Sequence, residues 1–143
     1  MATRPIGVTD PGVIEALRAY VKLLRAAKAV VARLEPALAK AGFTSTQLGV
    51  LEAVLHKGSL TQTELGRKVL TSAGNMTDLI DKLERRGLVR RSRKPGDRRA
   101  VRVELTPDGR QAIETLFPRY AADIAAAMAG LGADDLHRLG ELL

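Results

Sequence analysis

From Val13 onward the apolar positions recur every three or four residues: Ile14, Leu17, Val21, Leu24, Val31, Leu34 and Leu38. Arg18, Lys22, Arg25, Lys28 and Arg33 fall mostly off that stripe. The period predicts an amphipathic first helix of roughly seven turns, far longer than the mean. Pro36, near its end, is expected to bend it. So long a rod needs something equally long to lie against, and pairing of two chains is one solution. Residues 1–12, with two prolines in the first eleven, read as a flexible arm before it.

The next two helices are announced by their starts. Thr44 and Gln47 have the spacing of a capping box, with Phe43 and Leu48 at the two hydrophobic staple positions. Leu51, Val54 and Leu55 continue the buried face, and Gly58 is placed to end the helix. Thr61 and Glu64 repeat the box, with Leu60 and Leu65 as the second staple. Leu70-Thr71-Ser72 then interrupts the pattern, and Thr71 or Ser72 caps a fourth helix with Ala73, Met76, Leu79, Ile80 and Leu83 on its inner side. Gly87 ends it. Two helices joined by so short a turn form a helix-turn-helix, whose second helix enters a DNA major groove.

After Gly87 the period switches to two. Leu88–Arg93 is one strand; Val101, Val103 and Leu105 alternate with Arg102 and Glu104 in another. Lys94-Pro95-Gly96-Asp97 is the turn between them, and a hairpin in this place is a wing. Thr106 then caps a fifth helix with Pro107 in its first turn. Ile113, Leu116, Tyr120, Ile124 and Met128 mark its stripe, Pro118 is expected to kink it, and Gly130 and Gly132 break it. A last amphipathic piece covers residues 133–143.

Charge adds the function class. Between Arg85 and Arg102 nine basic residues (Arg85, Arg86, Arg90, Arg91, Arg93, Lys94, Arg98, Arg99, Arg102) meet one acid, Asp97, a local +8 in a chain of net +7. A near-neutral body with one cationic segment is the footprint of a protein that meets a polyanion; the rival reading is a solvated basic face. The pI near 10.2 points to nucleic acid first and anionic membrane second. Aromatic residues are only 3% of the chain, which leaves the core to Leu, Val, Ile and Ala and argues against base stacking of single-stranded RNA. With no cysteine, disulfides and thiolate zinc sites are excluded, and His56 and His137 alone argue against a histidine-rich metal cluster. No carboxylate pair, nucleophile–base grouping or phosphate loop is visible, so the chain does not read as an enzyme. It has no apolar run long enough to span a membrane and no signal-like start, and the expected location is the cytoplasm.

The order of these elements, with FTSTQLGVLEAV in the second helix, MTDLIDKLERRGLVRR in the fourth and GDRRAVRVELTPDGR across the wing, resembles the MarR (multiple antibiotic resistance regulator) family of bacterial winged helix-turn-helix transcription regulators. The resemblance covers residues 13–143. It implies a mainly α fold with a small β-hairpin wing: a dimerisation helix over 13–42, a winged helix-turn-helix DNA-binding domain over 43–106, and C-terminal dimerisation helices over 107–143. It also implies a homodimer on a palindromic operator in double-stranded DNA, acting as a repressor released by a small phenolic or other aromatic effector, with no cofactor. The alternative is a winged-helix module that binds RNA or a protein partner. Lack of cysteine removes the family's peroxide-sensing branch, and the last helix is shorter than the family's usual one.

In the recognition helix and its turn the candidate DNA contacts are Thr71, Ser72, Gly74, Asn75, Thr77, Asp78, Lys82 and Arg85. Asn75 can read adenine bidentately or merely solvate the helix. Asp78 either accepts from a cytosine amino group or pairs with Lys82 four residues on, and pairing is the favoured reading. Lys82 and Arg85 suit phosphates. In the wing, Arg99 matches the family's minor-groove arginine and Asp97 the acid that orients it, although Asp97 also reads as a turn residue; Arg98 and Lys94 would meet the backbone. Tyr20, His56 and Tyr120 are candidates for the effector pocket, against core or solvent roles for each.

Overall fold

The computed structural model describes residues 7–93, 95–96 and 100–143. The chain runs α1 (Pro11–Lys40), α2 (Ser45–Lys57), β1 (Leu60–Thr61), α3 (Gln62–Val69), α4 (Ala73–Arg85), β2 (Val89–Arg93), β3 (Val101–Leu105), α5 (Pro107–Ala127) and α6 (Ala133–Leu142). This is the expected mainly helical architecture with a small antiparallel sheet. One strand was not legible in advance: β1, two residues long, lies on the far side of β3 in the order β1-β3-β2, pairing Leu60 with Val103.

Local chemistry sets the boundaries. Asp10 caps α1 by accepting from Val13 N at 3.0 Å, with Pro11 in the first turn, so the helix begins two residues before the expected Val13. Both capping boxes form: Thr44 with Gln47, and Thr61 with Glu64. Their staples bury Phe43, Leu48, Leu60 and Leu65. Ser72, not Thr71, caps α4, and Thr106 caps α5. Pro36 and Pro118 each delete one backbone donor, yet α1 and α5 continue past them to Lys40 and Ala127.

A single core joins these elements. Leu48, Val50, Leu51 and Val54 of α2, Leu65 of α3, Met76, Ile80 and Leu83 of α4, Val89 and Val103 of the sheet and Ile113 of α5 are all buried in it. From α1 only Leu34 and Leu38 are buried, and α6 buries nothing. The inner stripe of α4 starts at Met76, one turn later than expected, because Ala73 is exposed. The first turn of α4 overhangs the core and faces the α3–α4 corner.

Candidate nucleic-acid interface

Burial of Met76, Ile80 and Leu83 turns the opposite side of α4 to solvent. Ser72, Gly74, Asn75, Thr77, Asp78, Lys82 and Arg85 are exposed there, and Thr71 is half-buried. The structure thus gathers all eight expected recognition-helix residues on the solvent side of the helix and its turn. Several are already engaged. Ser72 Oγ accepts from Asn75 N at 3.4 Å. Lys82 Nζ lies 2.7 Å from Asp78 Oδ2, the pairing favoured from the sequence. Thr77 Oγ1 donates to Ala73 O at 3.2 Å and accepts from Gln62 Nε2 at 3.0 Å.

The expected wing residues Lys94, Asp97, Arg98 and Arg99 lie outside the described residues. What is described is the stem of the wing, β2 and β3, with Arg91 opposite Val103 and Arg93 opposite Val101.

The basic segment is less free than its charge count implies. Arg91 Nη1 and Nη2 each lie 2.6 Å from a carboxylate, Glu84 and Asp81 respectively, and its Nε donates to Gln62 Oε1 at 3.3 Å. Burial alone would lower the Arg91 guanidinium's pKa, but the hydrogen bonds to Asp81 and Glu84 outweigh it and hold the group above its ordinary value. The Arg91 backbone N–H donates to Glu84, the chief reason that carboxyl sits below its usual range. Arg90 pairs with Glu104 at 3.1 Å. Arg102 donates to Ser59 O at 2.8 Å, with Glu64 at 4.0 Å. Arg86 donates to Gly42 O at 2.8 Å and lies over the Phe43 ring, 4.3 Å from its centroid. Arg85 and Arg93 are exposed and make no ion pair among the described residues. Part of the basic segment therefore ties the wing stem to α4, and part faces outward.

Of the three effector candidates, His56 and Tyr120 flank one ring, that of Phe117, and Tyr20 lines neither of the hollows they line. Tyr20 is 60% exposed on the first half of α1. His56 is exposed on α2, with Glu52 at 3.3 Å, in a hollow lined by Lys57 and Lys68. Tyr120 lines a groove of about 510 Å³ between α1 and α5, with Arg33, Pro36, Lys40, Arg119 and Asp123; burial pushes its phenol pKa up. Phe117, which the sequence did not single out, stands between the rings of His56 (6.4 Å) and Tyr120 (6.5 Å). Among the described residues no group of His, Cys, Asp and Glu is arranged to hold a metal ion, and no helix is long and apolar enough to cross a membrane.

Sequence and fold comparisons agree with this geometry. The profile of the MarR family matches residues 43–101. An uncharacterized HTH-type transcriptional regulator of Bacillus subtilis, YkoM, is 37% identical over 102 residues, which span 71% of this chain and 66% of that one, just under two thirds of the relative's length. The HTH-type transcriptional regulator MhqR of the same organism is 30% identical over 129 residues, 90% of this chain and 89% of the relative. The structure of Bordetella bronchiseptica BpsR, a protein whose DNA binding is regulated by 6-hydroxynicotinic acid, matches with a TM-score of 0.79 at 28% identity, covering 87% of this chain and 95% of that one. The motifs, the winged helix-turn-helix and these relatives converge: the chain belongs to the MarR family of DNA-binding transcription regulators and is not an enzyme.

Proposed function

We propose that two copies of this chain form a cytoplasmic repressor that holds a palindromic operator and lets go when a small aromatic acid or phenol binds. The observation that carries the DNA reading is the outward side of α4, polar from Thr71 to Arg85 and flanked by the wing stem. In this reading Gly74 lets the backbone approach the bases, Asn75 and Thr77 face base edges, and Arg85 meets a phosphate. Arg99 enters the minor groove with Asp97 orienting it, while Lys94 and Arg98 touch the backbone. The second protomer reads the next half-site about one helical turn, ~34–36 Å, away.

The dimer reading is supported by apolar surface that one chain leaves uncovered. Val13, Leu17, Val21, Leu24 and Val31 of α1 are each about 40–50% exposed, and Leu136, Leu142 and Leu143 at the C-terminal end are exposed too. A stripe this long on a helix of 30 residues fits a second, equally long partner. The effector reading is supported by the α1–α5 groove, where Tyr120 supplies a ring and Arg33, Lys40 and Arg119 supply positive charge for a carboxylate. The BpsR ligand, an aromatic acid bearing a hydroxyl, has that chemistry.

Fluorescence anisotropy on duplex from the protein's own upstream region, against scrambled duplex and across salt concentrations, tests the proposal. Tight, salt-sensitive and selective binding at two protomers per duplex, weakened by an aromatic acid, is the expected result. Equal, weak binding to both duplexes would overturn the operator reading in favour of RNA or a protein partner.

A further inference from the structure

We infer that Thr77 is a specificity-determining residue that presents its methyl group, and not its hydroxyl proton, to the bases, so that it selects for the 5-methyl of thymine. Gln62 is the positioning residue that enforces this. The inference rests on the reading of α4 as the groove-entering helix and says what one side chain does there.

Hydrogen-bond polarity fixes how Thr77 is held. A guanidinium can only donate. Arg91 is fixed by two carboxylates, Asp81 and Glu84, and directs its Nε–H at Gln62 Oε1. That contact sets the amide of Gln62: its oxygen faces Arg91, so its Nε2 donates to Thr77 Oγ1. A hydroxyl that accepts there must send its single proton elsewhere, and Ala73 O receives it at 3.2 Å. The relay that starts at Arg91 thus runs one way, to Gln62, to Thr77 and on to Ala73 O, while Asp81 and Glu84 accept from the same guanidinium. It links the wing stem, the start of α3 and the recognition helix.

Thr77 is left with a methyl group and one lone pair. It cannot donate to the acceptors that guanine, adenine and thymine show in the major groove. A threonine free to rotate could do so, and would bond either bases or phosphates without choosing. Its surroundings match the apolar role. Thr77 opens onto a hollow of about 360 Å³ between α3 and α4, shared with the methyl-bearing residues Thr63, Thr71 and Ala73 and with Gln62, Gly66 and Arg67. A thymine methyl against Ala and Thr methyls is a standard apolar base contact.

The test needs an operator chosen by the protein. Duplexes are selected from a random pool by the full chain; failure to enrich any sequence would overturn the operator reading itself, separately from this inference. Each thymine of the enriched site is then replaced by deoxyuridine, which removes only the methyl. Wild type is expected to lose about four-fold in affinity per half-site at one thymine, the fold-change of withdrawing one methyl-sized group from burial. Thr77→Ser, which keeps the hydroxyl bonds and lacks the methyl, should bind the thymine and uracil duplexes equally. Thr77→Val, which keeps methyls without the hydroxyl, should retain the discrimination. Gln62→Ala should reduce the thymine-to-uracil ratio while leaving the melting temperature within a few degrees, because Arg91 keeps its two carboxylates. No thymine sensitive to demethylation, or one equally sensitive in wild type and Thr77→Ser, would overturn the assignment.

Discussion

Gly109 in the first turn of α5 lies directly against the backbone of Leu88. A Cβ at this position would fall on the Leu88 carbonyl oxygen and within 2.8 Å of its carbon. The same carbonyl accepts from Thr106 N at 3.1 Å, and the Thr106 hydroxyl bridges Gly87 O and Gly109 N. This knot is where the helix leading to the proposed dimer region meets the end of the recognition helix.

Gly109→Ala should therefore be strongly destabilising. The obstruction is main chain, which cannot swing aside like a flexible side chain, so the cost belongs at the upper end of overpacking, roughly 3 kcal/mol. Urea unfolding monitored by circular dichroism reads it directly. A loss under ~0.5 kcal/mol would mean that α5 can slide on Leu88, and the joint would not be rigid.

Acid should loosen the junction of α4 and the wing stem. The Glu84 carboxyl is held below its ordinary value of 4.5, chiefly by the Arg91 backbone N–H. A carboxylate with a depressed folded-state pKa contributes stability that is complete above the unfolded value and disappears as pH falls through the folded one. Arg91, raised above an already high value, stays cationic throughout. Stability should thus be level from pH 7 to about 5 and decline below about 4.5. Glu84→Gln should be less stable at pH 7, approach wild type near pH 3, and show a flatter pH profile in denaturant melts. Parallel profiles for the two proteins would remove Glu84 from the acid response.

Leu70 ends α3 at φ 55° and ψ 46°, left-handed backbone in a side chain that is 90% exposed. The conformation costs a non-glycine residue about 1–2 kcal/mol, and exposure returns nothing from burial. Glycine at 70 should raise stability by a net ~0.5–1 kcal/mol after its extra freedom in the unfolded chain is counted. Valine there should lower it. The urea midpoint should rise for Leu70→Gly with the slope unchanged.

Features that depend on near neighbours were legible before the structure. Thr44 and Gln47, or Thr61 and Glu64, are three apart, and each box forms as spaced. What depended on distant partners was not. The strand at Leu60 exists only because Val103 lies beside it. Gln62 stands out only once folding has brought it to Thr77 and Arg91, 15 and 29 positions away. Tyr20 and Tyr120 looked alike as aromatic candidates, but only Tyr120 reaches the groove that α1 and α5 enclose.

The same limit applies to charge, and it yields the sharpest test of the interface. A window from Arg85 to Arg102 counts Arg85 and Arg91 as equal cations, because Asp81 and Glu84 lie just outside it. In the fold Arg91 is spent on those two carboxylates, while Arg85 is exposed without an ion pair among the described residues. A cation that neutralises a DNA phosphate releases counterions and steepens the fall of affinity with salt; one already neutralised by the protein does not. Arg85→Ala should lower the slope of log K against log salt by about one per protomer with little change in stability. Arg91→Ala should do the reverse: it leaves two carboxylates without their partner and unlocks Gln62, so it lowers the urea midpoint and the base selectivity. Its slope should stay within error of wild type at temperatures where the variant is folded. Equal slope changes for the two variants would mean that Arg91 leaves its carboxylates for DNA, and that the wing stem rearranges on binding.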